Sequence, residues 1–220
     1  MKNKSQMNNK GFSLVEMIVT VLIMAIIAGA AIVAFASVYS TEVKAAAMKV
    51  ADALKQARAD AMALENENIS HGAFQTTNVY SRFYIKDETL YIDICTDATE
   101  TGEPKVLYSS KIGKNLKADF YTVSGGVAST DPIVSINSET DGTGSSALKT
   151  SAKIYFKKST GGIAGIAKIE NYTEEETGSD VTYEDLGNHV NLIKIVSTSN
   201  ASLYKDMVLV DITGRCYIDE

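Results

Sequence analysis

The chain has 220 residues, 45% of them hydrophobic, and a formal net charge of −6. That length and apolar content suffice for one compact domain with a core and one additional element. The excess of acid argues against non-specific nucleic-acid binding, because phosphate contacts need clustered Lys and Arg. Two cysteines without a CxxC, and His71 and His189 far from both in sequence, give no zinc-ligand spacing, so no metal or cofactor is expected.

The first eleven residues carry Lys2, Lys4 and Lys10 and no acid, and their loss takes the formal charge from −6 to −9. Met17 to Ala36 then read MIVTVLIMAIIAGAAIVAFA, with Thr20 the only polar residue. Twenty such residues span a bilayer core of ~30 Å. The flanking lysines put the N-terminal end in the cytoplasm and the rest outside. A secretory signal peptide, cut after Ala34-Phe35-Ala36, is one reading, although its apolar region would exceed the usual ~7–15 residues. A plain uncleaved anchor is a second. Glu16, at the start of the apolar run, points to a third.

Lys10 to Glu16 read KGFSLVE. This resembles the prepilin processing site, in which a basic residue and Gly precede Phe and the fifth mature residue is Glu. The resemblance identifies a type IV pilin-like protein. It implies cleavage by prepilin peptidase between Gly11 and Phe12, methylation of the new Phe12 amine, and an assembly role for Glu16. A carboxylate inside a membrane costs ~2.5–3.5 kcal/mol near the centre and is usually paired. The expected partner of Glu16 is the Phe12 amine of an assembled neighbour. A carboxylate near a helix N-terminus is also favoured by the helix dipole alone.

Beyond the apolar run, Val38 to Glu67 contains no Gly or Pro. Val43, Ala47, Val50, Leu54, Ala57, Ala61 and Leu64 recur at alternating spacings of four and three, which is one apolar helical stripe. A helix from Phe12 to Leu64 would be ~80 Å long at 1.5 Å per residue. Within it, Gly29, Ala30 and Ala31 offer a small-residue notch for packing against other helices. The expected organisation is a leader over 1–11, a long helix over 12–65 with its membrane span at 17–36, and a β-rich extracytoplasmic head over 66–220.

The head shows strand patterns at Val79–Lys86, Leu90–Cys95, Lys105–Ser109, Leu116–Val123, Ile154–Lys157, Ile163–Ile169, Val190–Ser197, Lys205–Ile212 and Arg215–Ile218. Asp87-Glu88 and Thr213-Gly214 are turn signals. Ser124–Ser151 and the acidic Asn171–Asn188 read as loops. The acidic run lacks the alternating pattern of a calcium loop and is a solvated face. Cys95 and Cys216 either form one disulfide closing a loop of about 120 residues or stay as two buried thiols. The fold class is therefore α+β: a pilin-like lollipop whose transmembrane helix packs on an antiparallel sheet.

Three marks in the head resemble the H-type pseudopilins and their minor-pilin relatives. They are Ala53-Leu54-Lys55-Gln56-Ala57-Arg58-Ala59-Asp60-Ala61, Ile154-Tyr155-Phe156 followed by Gly161-Gly162, and Val210-Asp211-Ile212-Thr213-Gly214-Arg215. The resemblance implies a low-abundance subunit of a type IV pilus, type II secretion or competence fibre, with other subunits, prepilin peptidase and the membrane as partners. Alternatives are a major pilin or a fibre-borne binding module, an adhesin or DNA receptor. The acidic end Cys216-Tyr217-Ile218-Asp219-Glu220 weakens the DNA reading. An enzyme is not expected, since there is no G-x-S-x-G, HExxH or phosphate loop.

Overall fold

The computed structural model describes residues 13–63, 69–71, 74–76, 79–97, 104–124, 127–136, 149–157, 159–172, 182–185, 190–210 and 212–219. One helix, α1 (Leu14–Ala63), covers 50 residues without a proline, as the expected helix requires. Its expected last residues, Leu64 and Glu65, lie outside the described set. The chain divides into two compact units, Met1–Tyr39 and Ser40–Glu220, and α1 contributes to both.

In the first unit the described side chains from Ser13 to Ala30 are all exposed. Leu14–Ala31 has a mean hydropathy of 2.5 over 18 residues and none of it is buried. Such a surface is stable only in an apolar environment or against apolar neighbours.

The second unit is the C-terminal part of α1 with antiparallel β-structure. A short hairpin joins β1 (Ile69–His71) to β2 (Phe74–Thr76). Next come β3 (Val79–Lys86), β4 (Thr89–Asp97), β5 (Pro104–Lys114) and β6 (Leu116–Tyr121). A two-residue pair, β7 (Val123–Ser124) with β8 (Val127–Ala128), precedes β9 (Val134–Ile136). The chain continues with β10 (Lys149–Phe156), β11 (Ile163–Tyr172), β12 (Thr182–Asp185), β13 (Leu192–Ser197), β14 (Tyr204–Val210) and β15 (Arg215–Ile218).

Two larger sheets result. One has six strands in the order β12-β11-β10-β3-β4-β5, and the other five in the order β15-β14-β13-β6-β9. All nine expected strands are present within a few residues. The stretches read as loops are not wholly so: Ser124–Ser151 contains β8, β9 and the start of β10, and Asn171–Asn188 contains β12. β9 is too short, at three residues, for its Val134-Ser135-Ile136 alternation to stand out, and β12 lacks alternation; each is held by hydrogen-bond partners on a neighbouring strand, β6 for β9 and β11 for β12.

Turn chemistry sets the registers. Lys86 pairs with Thr89, so Asp87 and Glu88 form a two-residue hairpin loop. Both have positive φ, 48° and 57°, which a type I′ turn demands and Asp tolerates better than most residues.

One core joins α1 and both sheets. The expected stripe residues Val43, Ala47, Val50, Leu54, Ala57 and Ala61 are each no more than 2% exposed. Ala46, Ala51 and Ala53 widen the stripe, and their small side chains let the helix lie close to the sheet. Phe83 of the six-stranded sheet meets Phe120 of the five-stranded sheet edge-on, with centroids 5.3 Å apart. This geometry suits the ring quadrupoles and locks the two sheets together.

The opposite face of the six-stranded sheet is polar yet buried. Register aligns Lys153, Arg82 and Asp93 in one row across β10, β3 and β4. Arg82 Nη2 contacts Asp93 Oδ2 at 2.9 Å, with both side chains under a tenth exposed. Tyrosines flank the row: Tyr80 with Tyr155 at 5.2 Å, and Tyr84 stacked on Tyr91 at 5.4 Å.

Candidate assembly site

Glu16 is the only acidic residue in the first turn of α1. Its carboxylate Oε2 accepts a hydrogen bond from the Ser13 backbone N–H at 3.1 Å. The Ser13 hydroxyl accepts from the Val15 N–H at 3.4 Å, and the Ser13 carbonyl from the Met17 N–H at 3.2 Å. Ser13-Leu14-Val15-Glu16 is thus a capping box, which satisfies amide groups that a helix start leaves unpaired. The capping role of Ser13 was not anticipated, although the S-x-x-E spacing before an apolar run carries its signal. Thr20, the one polar residue of the run, donates its hydroxyl to the Met17 carbonyl at 2.9 Å and so exposes no unpaired donor on the helix surface.

Gly11 and Phe12, the expected cleavage and methylation residues, lie outside the described residues. Chain connectivity still places an amine created at Phe12 one residue from Ser13 and four from Glu16. Among the described residues, a Cβ at Gly29 would meet no atom within 4 Å.

Cys95 and Cys216 are both buried and are not joined to each other in this structure. They belong to different sheets and different clusters. Cys95, on β4, packs with Tyr80, Tyr155, Ala164 and Ala167, whereas Cys216, on β15, faces the main core. Burial pushes the Cys216 thiol up to about 11, with Lys55 opposing the shift. Among the described residues, no group of three or more His, Cys, Asp or Glu side chains is placed to hold a metal ion.

The three stretches whose sequence resembles H-type pseudopilins converge. A Cβ on Gly161 would lie 2.7 Å from Arg58 Nε and 2.8 Å from Met62 Sδ, and one on Gly214 would lie 3.4 Å from Arg58 Cδ. The end of the helix, the turn after β10 and the turn after β14 thus meet at one point. Gly161 and Gly214 have φ of 65° and 60°, in the left-handed region that glycine adopts without cost.

Residues 6–32 match the prokaryotic N-terminal methylation motif. No curated protein and no solved structure matches the chain. The match covers the basic residue, the glycine, the capping box and the apolar helix start, and makes the N-terminus type IV pilin-like. The fold of the chain is α+β, an apolar N-terminal helix followed by antiparallel sheets.

Proposed function

We propose that this type IV pilin-like chain is a structural subunit of an extracytoplasmic fibre, of the minor pilin or pseudopilin kind, and that it is not an enzyme. The methylation motif over residues 6–32 carries the reading. In this reading prepilin peptidase cuts between Gly11 and Phe12. The mature chain then waits as a single-pass protein of the cytoplasmic membrane, with its N-terminus on the cytoplasmic side. The helix over 12–65 is the assembly element, and the head over 66–220 is displayed on the fibre.

The physics of α1 supports it. Leu14–Ala31 exposes a continuous apolar surface that lipid covers before assembly and neighbouring helices cover afterwards. Glu16 is the only ionisable residue between Ser13 and Thr41 apart from Tyr39. In the fibre its carboxylate exchanges the Ser13 N–H for the cationic Phe12 amine of a neighbour, a stronger charge-assisted contact. That exchange offsets the cost of an acid in an apolar bundle and sets the axial register. Gly29 supplies a notch for a neighbouring helix. The H-type subgroup and its place in a pilus, secretion or competence fibre draw support from the meeting of Arg58, Gly161 and Gly214.

The test is the N-terminus of the protein from its native membrane or fibre fraction, by intact mass and terminal sequencing. A Phe12 terminus one methyl heavier than the bare residue supports the reading. A terminus at Ser37 or Met1 overturns it. Glu16→Gln is expected to leave cleavage intact and to lower entry into fibres, and wild-type entry would remove Glu16 from the mechanism.

A further inference from the structure

The six-stranded sheet has two unlike edges. Among the described residues, β5 and β12 each pair with a neighbour on one side only. β5 reads PKVLYSSKIGK, with Lys105, Lys111 and Lys114 and no acid. β12 reads TYED, with Glu184 and Asp185 and no base. By sequence, one edge strand is basic and the other acidic.

The N-terminal half of β5 is open. Lys105 through Ser109 are all exposed, including the apolar Val106, Leu107 and Tyr108 at 44%, 40% and 52%. A groove of about 620 Å³, lined by Gln56 and Asp60 of α1 and by Leu107, Tyr108 and Ser110, flanks this stretch. The C-terminal half is guarded, because Lys49 Nζ donates to the carbonyls of Lys111 and Ile112 at 3.3 and 3.4 Å. The register against β4 passes from Ile94–Tyr108 to Cys95–Val106, which makes Leu107 a bulged residue. Bulges and lysines are how sheet edges resist unspecific pairing. Here the exposed stretch, Lys105–Ser109, carries Lys105 and the Leu107 bulge within it, so it offers only a short pairing run, which suits the four residues of β12.

Strand direction decides which partner fits. Every step from β12 to β5 is antiparallel, and there are five steps. β12 and β5 therefore run in opposite directions. Two copies in the same orientation, side by side, would place β12 of one antiparallel to β5 of the other, continuing the alternation. Antiparallel pairing brings the Glu184–Asp185 end of β12 to the Lys105 end of β5. Such a contact joins two different surfaces, so it propagates from copy to copy as a filament or a ring, unlike a two-fold dimer.

We propose that the β5 edge of one head pairs with the β12 edge of a second copy, joining identically oriented heads through a shared sheet. This rests on the fibre-subunit reading, which requires all copies to point the same way. Strand addition supplies main-chain hydrogen bonds, and the opposite charges select edge β5 for edge β12 over either edge for itself.

The test uses the full processed chain in membranes. Val106→Cys, Leu107→Cys or Tyr108→Cys is combined with Glu184→Cys in one chain, since adjacent strands bring Cα atoms within the ~4.4–6.8 Å that a disulfide needs. Mild oxidation is expected to give a ladder of multimers from at least one combination and none from any single substitution. Lys105→Glu should lower ladder yield by up to about fivefold, the scale of an exposed ion pair, and Asp185→Lys in the same chain should restore it. Absence of a ladder in all three combinations, with both cysteines labelled by a water-soluble maleimide, overturns the pairing. A ladder that both charge changes leave untouched removes the charge selection. Mature termini are read from the same samples: a terminus other than Phe12 defeats the fibre reading, whereas a Phe12 terminus without a ladder defeats only the edge pairing.

Discussion

Gly214 lies against the carbonyl oxygen of Gly161 so closely that a Cβ on Gly214 would overlap that oxygen. The obstacle is backbone and cannot rotate away. Gly214 also has φ of 60°, where a Cβ costs ~1–2 kcal/mol even in open space. Gly214→Ala is therefore expected to lower the stability of the head by more than about 2 kcal/mol. Gly161→Ala carries a similar backbone cost, but its obstacles are the Arg58 and Met62 side chains, which can move. Urea unfolding followed by near-ultraviolet circular dichroism should rank Gly214→Ala as the worse change. Equal losses would show that the Gly214–Gly161 approach relaxes.

The Arg82–Asp93 pair gives a second expectation. Both side chains are almost fully buried, so removing Asp93 takes a charge-assisted contact from Arg82 in a low-dielectric site. Asp93→Ala should cost about 3–5 kcal/mol, while Arg82→Met with Asp93→Leu should recover most of it. Full-length protein in detergent, unfolded in guanidinium, gives both values. A double variant no better than Asp93→Ala would mean that the contact of Arg82 with the Tyr84 ring, or the buried Lys153 beside it, outweighs the ion pair.

Leu54 is the largest side chain on the buried helix stripe and is 0% exposed. Leu54→Ala should cost about 2–5 kcal/mol through lost burial and the cavity left behind. Met48→Ala, at 47% exposure on the same helix, should change stability little. Comparable losses at the two positions would contradict the packing of α1 on the sheets.

How much of this was legible in sequence depended on the range of the signal. KGFSLVE is a linear motif and needs no fold to be read. The alternation of Val43, Ala47, Val50 and Leu54 reports a helix face directly, because the 3.6-residue period is local. Strands such as Val79–Lys86 declared themselves through β-branched and aromatic content. β12 did not: Thr-Tyr-Glu-Asp has no strand pattern and is ordered by the edge of β11. Cys95 and Cys216 were ambiguous for a related reason. Whether two thiols can meet depends on which sheet and which face each occupies, and that is settled by pairing between residues far apart in sequence. Ser13 carried a local signal, the S-x-x-E spacing, that the more specific processing motif overshadowed.

Cys216 supplies a prediction in pH. Burial raises its thiol from the ordinary 9.0 to about 11, and Lys55 only partly opposes this. A folded-state value above the unfolded one means that the folded chain holds the proton more tightly, so its contribution to stability is fully present below pH 9. As pH rises from 9 towards about 11 the unfolded thiol ionises first, and that contribution is lost. Stability measured across this window should fall in the wild type and fall less in Cys216→Ala, once the latter's uniform packing loss is subtracted. Native protein at pH 8 should also resist alkylation at Cys216, because the reactive thiolate is scarce and the residue is 6% exposed. Rapid alkylation before unfolding would show that the β14–β15 hairpin opens locally and that the thiol is not held in the core.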